Sequence, residues 1–195
     1  KGLIYGNYRL LTSKDFSGIL TQGGTILGTS RQPFKLMRVP DENGLDKVEA
    51  MKQTYYKLCL DCLVILGGNG TQKTANLLSE EGLNIIHLPK TIDNDLAVTD
   101  HCPGFGSAAR YAAVSALELA QDASALPIHV VVMELMGRNA GWITAASALY
   151  ADLMPCEHLV YLPEVAFDKE KFLAAVKEKF AKGKGLLVTI SEGIH

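Results

Sequence analysis

Five short apolar runs, separated by helical patterns, limit what this chain can become. They are Cys62–Leu66, Asn84–Leu88, Ile128–Leu135, Leu159–Leu162 and Gly185–Ile190. The continuous run Cys62–Leu66 marks a parallel strand buried on both faces, Ile128–Leu135 reads as another buried strand, and the other three read as strands. Helical spacing fills the gaps at Gln72–Glu80, Ser107–Gln121, Trp142–Ala151 and Asp168–Lys182, and one more such segment, Asp46–Leu58, precedes the first run. In Asp46–Leu58 the apolar positions are Val48, Met51, Tyr55 and Leu58. In Ser107–Gln121 they are Ala108, Tyr111, Val114, Leu117 and Leu119. Phe172, Val176 and Phe180 repeat every four residues along the last helix. About five strand–loop–helix repeats predict an α/β fold. It is a doubly wound, mostly parallel sheet with helices on both faces and a ligand crevice at the strand ends.

The remaining segments are less regular. Gly2–Leu11 is mixed, Ser13–Leu20 predicts a brief helix capped by Ser13, and Gln32–Gly44, with Pro33 and Pro40, predicts a loop. The chain has 195 residues, 48% of them hydrophobic, which suits one domain or most of one. Net charge is −2, from 19 basic and 21 acidic residues, so no electrostatic case exists for a nucleic-acid or membrane-surface partner. No run approaches the roughly 18 apolar residues of a membrane span, and no secretory pattern opens the chain. A cytoplasmic location is expected. The chain starts at Lys1, and Gly2–Arg9 already reads as mid-domain, so a piece of a longer protein is expected. Cys59 and Cys62 form a C-x-x-C where a helix ends and a strand starts. With Cys102 and Cys156 they read as structural thiols of a reducing compartment.

The polar loops carry the chemistry. Gly67-Gly68-Asn69-Gly70-Thr71 follows the first run and leads into a helix. That order suits a phosphate at a helix N-terminus, where glycines admit the ligand and first-turn N–H groups donate. It is neither a Walker A nor a dinucleotide fingerprint, and the plain alternative is a tight turn. Gly23–Arg31 is a second glycine-rich loop ending in hydroxyls and an arginine, open to reading as a turn cluster or as a phosphate-facing loop. Leu88–Asp95 reads LPKTIDND. Pro89 breaks regular structure, Thr91 supplies a hydroxyl, and Asp93 and Asp95 project to one side of an extended segment. The bland alternative for the pair is an Asx-turn. Gly137-Arg138 and Glu192 close two further loops. Together these are the groups of phosphoryl transfer, in which a protein positions reactants and neutralises charge. Asp93 is the expected base. Asp95 orients it or helps hold a metal, and Lys90 and Arg31 stabilise developing charge.

GGNGT at 67–71, PKTIDND at 89–95, MGRNAGW at 136–142 and SEG at 191–193 resemble the 6-phosphofructokinase family, in its order and spacing. The GGT-x-LG-x-x-R segment ending at Arg31 is similar to the family's phosphate loop. The resemblance covers essentially the whole chain, as a large part of the family's N-terminal domain. It implies transfer of a phosphoryl group to the 1-hydroxyl of fructose 6-phosphate, with Mg2+. The implied base is Asp93, with Thr91 on the reacting hydroxyl, Asp95 in support and Arg138 in the catalytic set. Thr91, Asp93, Met136, Gly137, Arg138 and Glu192 would contact the sugar phosphate. Arg31, Gly68, Asn69, Gly70, Thr71 and Lys90 would hold the donor, and Asn69 and Asp95 the metal. Gly70 stands where pyrophosphate users typically carry an acidic residue, which favours ATP; Lys90 is common in pyrophosphate users. Asn69 replaces a usual aspartate, losing charge but keeping one oxygen ligand. His129 replaces an arginine that many relatives extend to a neighbouring subunit. The resemblance also implies a homo-oligomer, a dimer or tetramer, at full length. Two other readings are a non-catalytic domain retaining partial phosphate binding and an NAD-kinase-like enzyme. The latter shares GGxGT but leaves MGRNAGW unexplained.

Overall fold

The computed structural model describes residues 1–30 and 32–195. It divides into two compact units, Lys1–Leu88 and Pro89–His195.

In the first unit, α1 (Lys47–Lys57) starts at Asp46, whose carboxylate accepts the N–H groups of Val48 (2.9 Å) and Glu49 (3.1 Å). β1 (Leu63–Gly67), α2 (Asn69–Glu80) and β2 (Ile85–Pro89) follow. β1 and β2 are hydrogen-bonded neighbours, and Leu63 N–H donates to the Asn84 carbonyl at 2.9 Å. Val48, Met51 and Tyr55 of α1 pack with Leu77 and Leu78 of α2, and with Ile4, Met37 and Leu83, as one buried cluster.

The brief helix expected at Ser13–Leu20 is instead two short 3-10 turns, Ser13–Phe16 and Ile19–Thr21. Gly18, at φ +78°, separates them, a left-handed residue that no helix passes through. The cap is Thr12 rather than Ser13, because Thr12 N–H and Oγ1 both engage the Asp15 carboxylate. Within Gln32–Gly44, Phe34–Leu36 forms one further 3-10 turn.

In the second unit, α3 (Phe105–Ala125), β3 (Val130–Leu135), α4 (Trp142–Ala146), β4 (Glu157–Tyr161), α5 (Lys169–Phe180) and β5 (Leu186–Ser191) form a three-stranded parallel sheet with its helices. The strand order is β3-β5-β4, with Val132 and Leu159 both in register with Val188. The α/β class and the parallel pairing are those expected; the described strands lie in two sheets, not one continuous run of five.

Burial on both faces holds for the central strand alone. Leu186, Leu187, Val188 and Thr189 of β5 have no solvent exposure. Val64, Leu66, Ile86, Leu88, Val130 and Val132 are exposed, so β1, β2 and β3 alternate. α3 buries a different stripe from the one expected, keeping Ala108, Leu117 and Leu119 only partly covered. Ala109, Ala112, Ala113, Ala116, Ala120 and Ala123 are buried, while Tyr111 and Val114 face solvent. Alanines let the helix approach Leu187 closely, which bulkier side chains would prevent. The helix expected to run to Ala151 ends as α4 at Ala146. A 3-10 segment, Ser147–Leu153, continues it and is broken at Tyr150 (φ −111°, ψ 23°).

Candidate active site

In the first unit, the glycine turn proves to be the helix itself. α2 begins at Asn69, three residues earlier than its apolar pattern suggests, with Gly68 as N-cap. Gly68 has no side chain to cap the helix, so the first-turn N–H groups meet no side-chain oxygen. The Gly68 carbonyl accepts the first intrahelical bond, from Gln72 N–H at 2.9 Å. Asn69, Gly70 and Thr71 therefore present an anion-accepting helix end. Gly67 is obligatory, because a Cβ there would sit 2.7 Å from the Thr71 Cβ. Around a Cβ placed at Gly70, nothing lies within 4 Å. His87 of β2 bonds the Gly67 carbonyl through Nε2 at 3.0 Å. Gly23–Ser30 is an exposed loop, with Leu27 N–H on the Thr25 hydroxyl (3.1 Å); Arg31 lies outside the described residues.

In the second unit, Thr91, Asp93 and Asp95 lie on a turn tied down at its middle. Asn94, buried and left-handed (φ +54°), accepts Cys102 N–H at 2.8 Å and donates to the Asp100 carbonyl at 3.1 Å. The backbone that carries the two flanking aspartates is thus held from its middle. Asx residues tolerate this backbone and bond locally, the one signal by which the sequence could have singled out Asn94. Thr91 Oγ1 accepts Asp93 N–H at 3.2 Å, and Thr91 bridges to Gly104. Lys90 is exposed beside them.

Oδ1 of Asp93 and Oδ1 of Asp95 are buried without a hydrogen-bond partner among the described residues. Burial pushes the Asp93 carboxyl above the usual aspartate range, and the charges of Asp95 and Glu192 push it the same way. Orphaned carboxylate oxygens are a standing cost unless a proton, an acceptor hydroxyl or a cation meets them. Paired hard oxygens fit Mg2+, which typically takes one or two protein carboxylates and completes its shell with phosphate and water. Among the described residues no three His, Cys, Asp or Glu side chains gather as a ready metal cage.

Glu192 joins this cluster to the turn after β3. Its Oε1 accepts Gly137 N–H at 3.3 Å, and its own N–H donates to the Leu135 carbonyl at 2.9 Å. Gly137 is at φ +127°, where a Cβ would also strike the Ala140 carbonyl. Met136 and Arg138 are exposed on either side of it. The far end of this turn is held by Glu164, whose Oε1 accepts Gly141 N–H at 2.7 Å. Thr91, Asp93, Asp95, Met136, Gly137, Arg138 and Glu192 thus belong to one unit, and the Asp93, Gly137 and Glu192 loops meet. Gly68, Asn69, Gly70 and Thr71 belong to the other. His129 packs its ring edge-on against Phe180 (5.5 Å). All four cysteines are free thiols, Cys59 left-handed just past α1.

Known proteins resemble this chain. The phosphofructokinase family model covers residues 1–195. An ATP-dependent 6-phosphofructokinase of Spirochaeta thermophila is 46% identical over 201 residues, covering 99% of this chain and 52% of its own. A pyrophosphate–fructose 6-phosphate 1-phosphotransferase of Rhodospirillum rubrum is 48% identical over 139 residues, 67% of this chain and 34% of its own. The crystal structure of a pyrophosphate-dependent phosphofructokinase from Nitrosospira multiformis superposes with TM-score 0.67 at 39% identity, covering 76% of this chain and 40% of that one. The chain spans about half the length of the curated relatives it matches over its whole extent. From its matched model, its relatives and the loops described above, the chain belongs to the phosphofructokinase family.

Proposed function

We propose that the protein transfers a phosphoryl group from ATP to the 1-hydroxyl of fructose 6-phosphate, giving fructose 1,6-bisphosphate. One observation carries this reading: two orphaned aspartate oxygens lie beside a glutamate that is tied to the Gly137 turn. Asp93 takes the proton of the acceptor hydroxyl, for which its raised pKa suits it. Thr91 contacts that hydroxyl, and Asp95 keeps Asp93 oriented. Met136, Gly137, Arg138 and Glu192 hold the sugar phosphate, with Arg138 stabilising charge on the transferred group.

The donor phosphates lie on the N–H groups of Gly68–Thr71, with Arg31 and Lys90 as cations. Asp95 is the carboxylate that would hold Mg2+, which when bound neutralises the donor phosphates. Helix α2 has open space at Gly70, and this favours ATP as donor. Pyrophosphate is the second reading; it is the donor named for the relatives from Rhodospirillum rubrum and Nitrosospira multiformis.

The test is product formation from fructose 6-phosphate by the full-length protein, with ATP and pyrophosphate assayed side by side. ATP is expected to give the higher kcat/KM. A higher value with pyrophosphate reverses the donor assignment, and no product with either removes the reading.

A further inference from the structure

We infer that Ser191 is a positioning residue for the acceptor site: it clamps the Gly137–Arg138 turn to the Glu192 loop. This rests on the sugar-phosphate role proposed for those loops. Ser191 ends the central strand β5 and has no solvent exposure, yet it carries a hydroxyl. That hydroxyl donates to the Gly137 carbonyl. A buried hydroxyl needs such a partner, and a buried turn carbonyl needs such a donor.

The neighbours of Ser191 grip the same turn. Glu192 N–H holds the Leu135 carbonyl, and the Glu192 carboxylate holds Gly137 N–H. At Gly193 a Cβ would fall on the Arg138 carbonyl, so the two backbones touch there. Three consecutive residues thus meet Leu135, Gly137 and Arg138, and Gly137 is engaged at both its N–H and its C=O. Gly137, with its unusual backbone angle, is the joint most in need of such support. The clamp sets where Arg138 leaves the backbone and where the Glu192 carboxylate sits. In the proposed function both groups belong to the acceptor sugar phosphate, not the donor. Ser191 touches neither substrate and acts through Gly137.

The consequence is selective. In the full-length protein, Ser191→Ala is expected to raise KM for fructose 6-phosphate about tenfold, the effect of one lost hydrogen bond, while donor KM changes less than about twofold. Ser191→Thr keeps the donor group and is expected to recover most of the affinity, whereas Ser191→Cys, a poor donor of similar size, is not. Trp142, the one tryptophan of residues 1–195, follows this turn and gives a reading that needs no substrate once any tryptophan outside those residues is replaced by phenylalanine. Acrylamide quenching of its emission is expected to rise in Ser191→Ala and Ser191→Cys and to return to the parent value in Ser191→Thr.

Unchanged sugar KM together with unchanged quenching overturns the inference. So does an equal rise in both KM values that tracks the unfolding midpoint and is not rescued by threonine, since that marks a merely structural serine. If the parent protein does not phosphorylate fructose 6-phosphate, the functional reading fails separately, and the quenching series alone decides whether the clamp exists.

Discussion

At the scale of single residues, Asp93 is where stability and chemistry pull apart. Its ordinary pKa is 3.8, and in the native protein burial, Asp95 and Glu192 raise it. Between the ordinary and the raised value the folded state binds more protons than the unfolded state. Stability from this group therefore falls as pH rises through that window, and the deficit persists at neutral pH. Asp93→Asn removes the charge at nearly constant shape. Its unfolding midpoint at pH 7 is expected to exceed that of the parent, with the difference shrinking as pH drops into the window. The same variant should lose about 10²- to 10⁴-fold in kcat, the usual worth of a general base. Thermal unfolding at several pH values beside steady-state turnover checks both, and a variant that keeps its turnover removes Asp93 from the base role. In the parent, the acid limb of the activity profile should lie above the range of an ordinary aspartate, because the base must be deprotonated to act.

At the scale of elements, α2 shows how a helix end becomes a candidate binding site. Its apolar pattern begins late, so the sequence suggests a loop before a helix, while the structure winds Asn69, Gly70 and Thr71 into the first turn. Periodicity is blind to glycines, which carry no apolar side chain to count. Gly70 has ordinary backbone angles and empty space around it, so a side chain fits without strain. Gly70→Asp places a carboxylate in the first turn, where the helix dipole favours it and where it competes with donor phosphates for the same N–H groups. The variant is expected to fold, to raise KM for ATP by about tenfold or more, equivalent to roughly 1.4 kcal/mol, and to shift preference toward pyrophosphate. Comparing kcat/KM for the two donors checks this, and an unaltered ratio removes Gly70 from donor selection. α3 carries the opposite lesson. Tyr111 and Val114 looked inward by hydropathy, but the alanine stripe was buried instead, because close approach to β5 excludes large side chains.

At the scale of the whole molecule, the charges are nearly balanced while the proposed substrates are polyanions, so local groups and a cation must offset them. In the proposed function Mg2+ would bind chiefly with the donor phosphates, because this ion typically takes only one or two protein carboxylates and completes its shell with phosphate and water. Chelation with EDTA is therefore expected to abolish turnover, with recovery on adding Mg2+, yet to leave the donor-free unfolding midpoint unchanged. A large fall in that midpoint on chelation would mean a structural metal instead.

The sequence by itself determined the alternation of strands and helices, the parallel α/β class and the family motifs. Apolar runs and turn residues are local signals, legible one segment at a time. The helix beginning near Asp46 and the strand ending in Ser191-Glu192-Gly193 were legible in this way. Only the tertiary structure decided which faces are buried, how the strands divide into two sheets, and that Asn94, Glu164 and Ser191 hold the loops of the candidate site. Those contacts join residues as far apart as Gly137 and Ser191. No period or spacing encodes them, since they depend on which backbones meet once the core has closed.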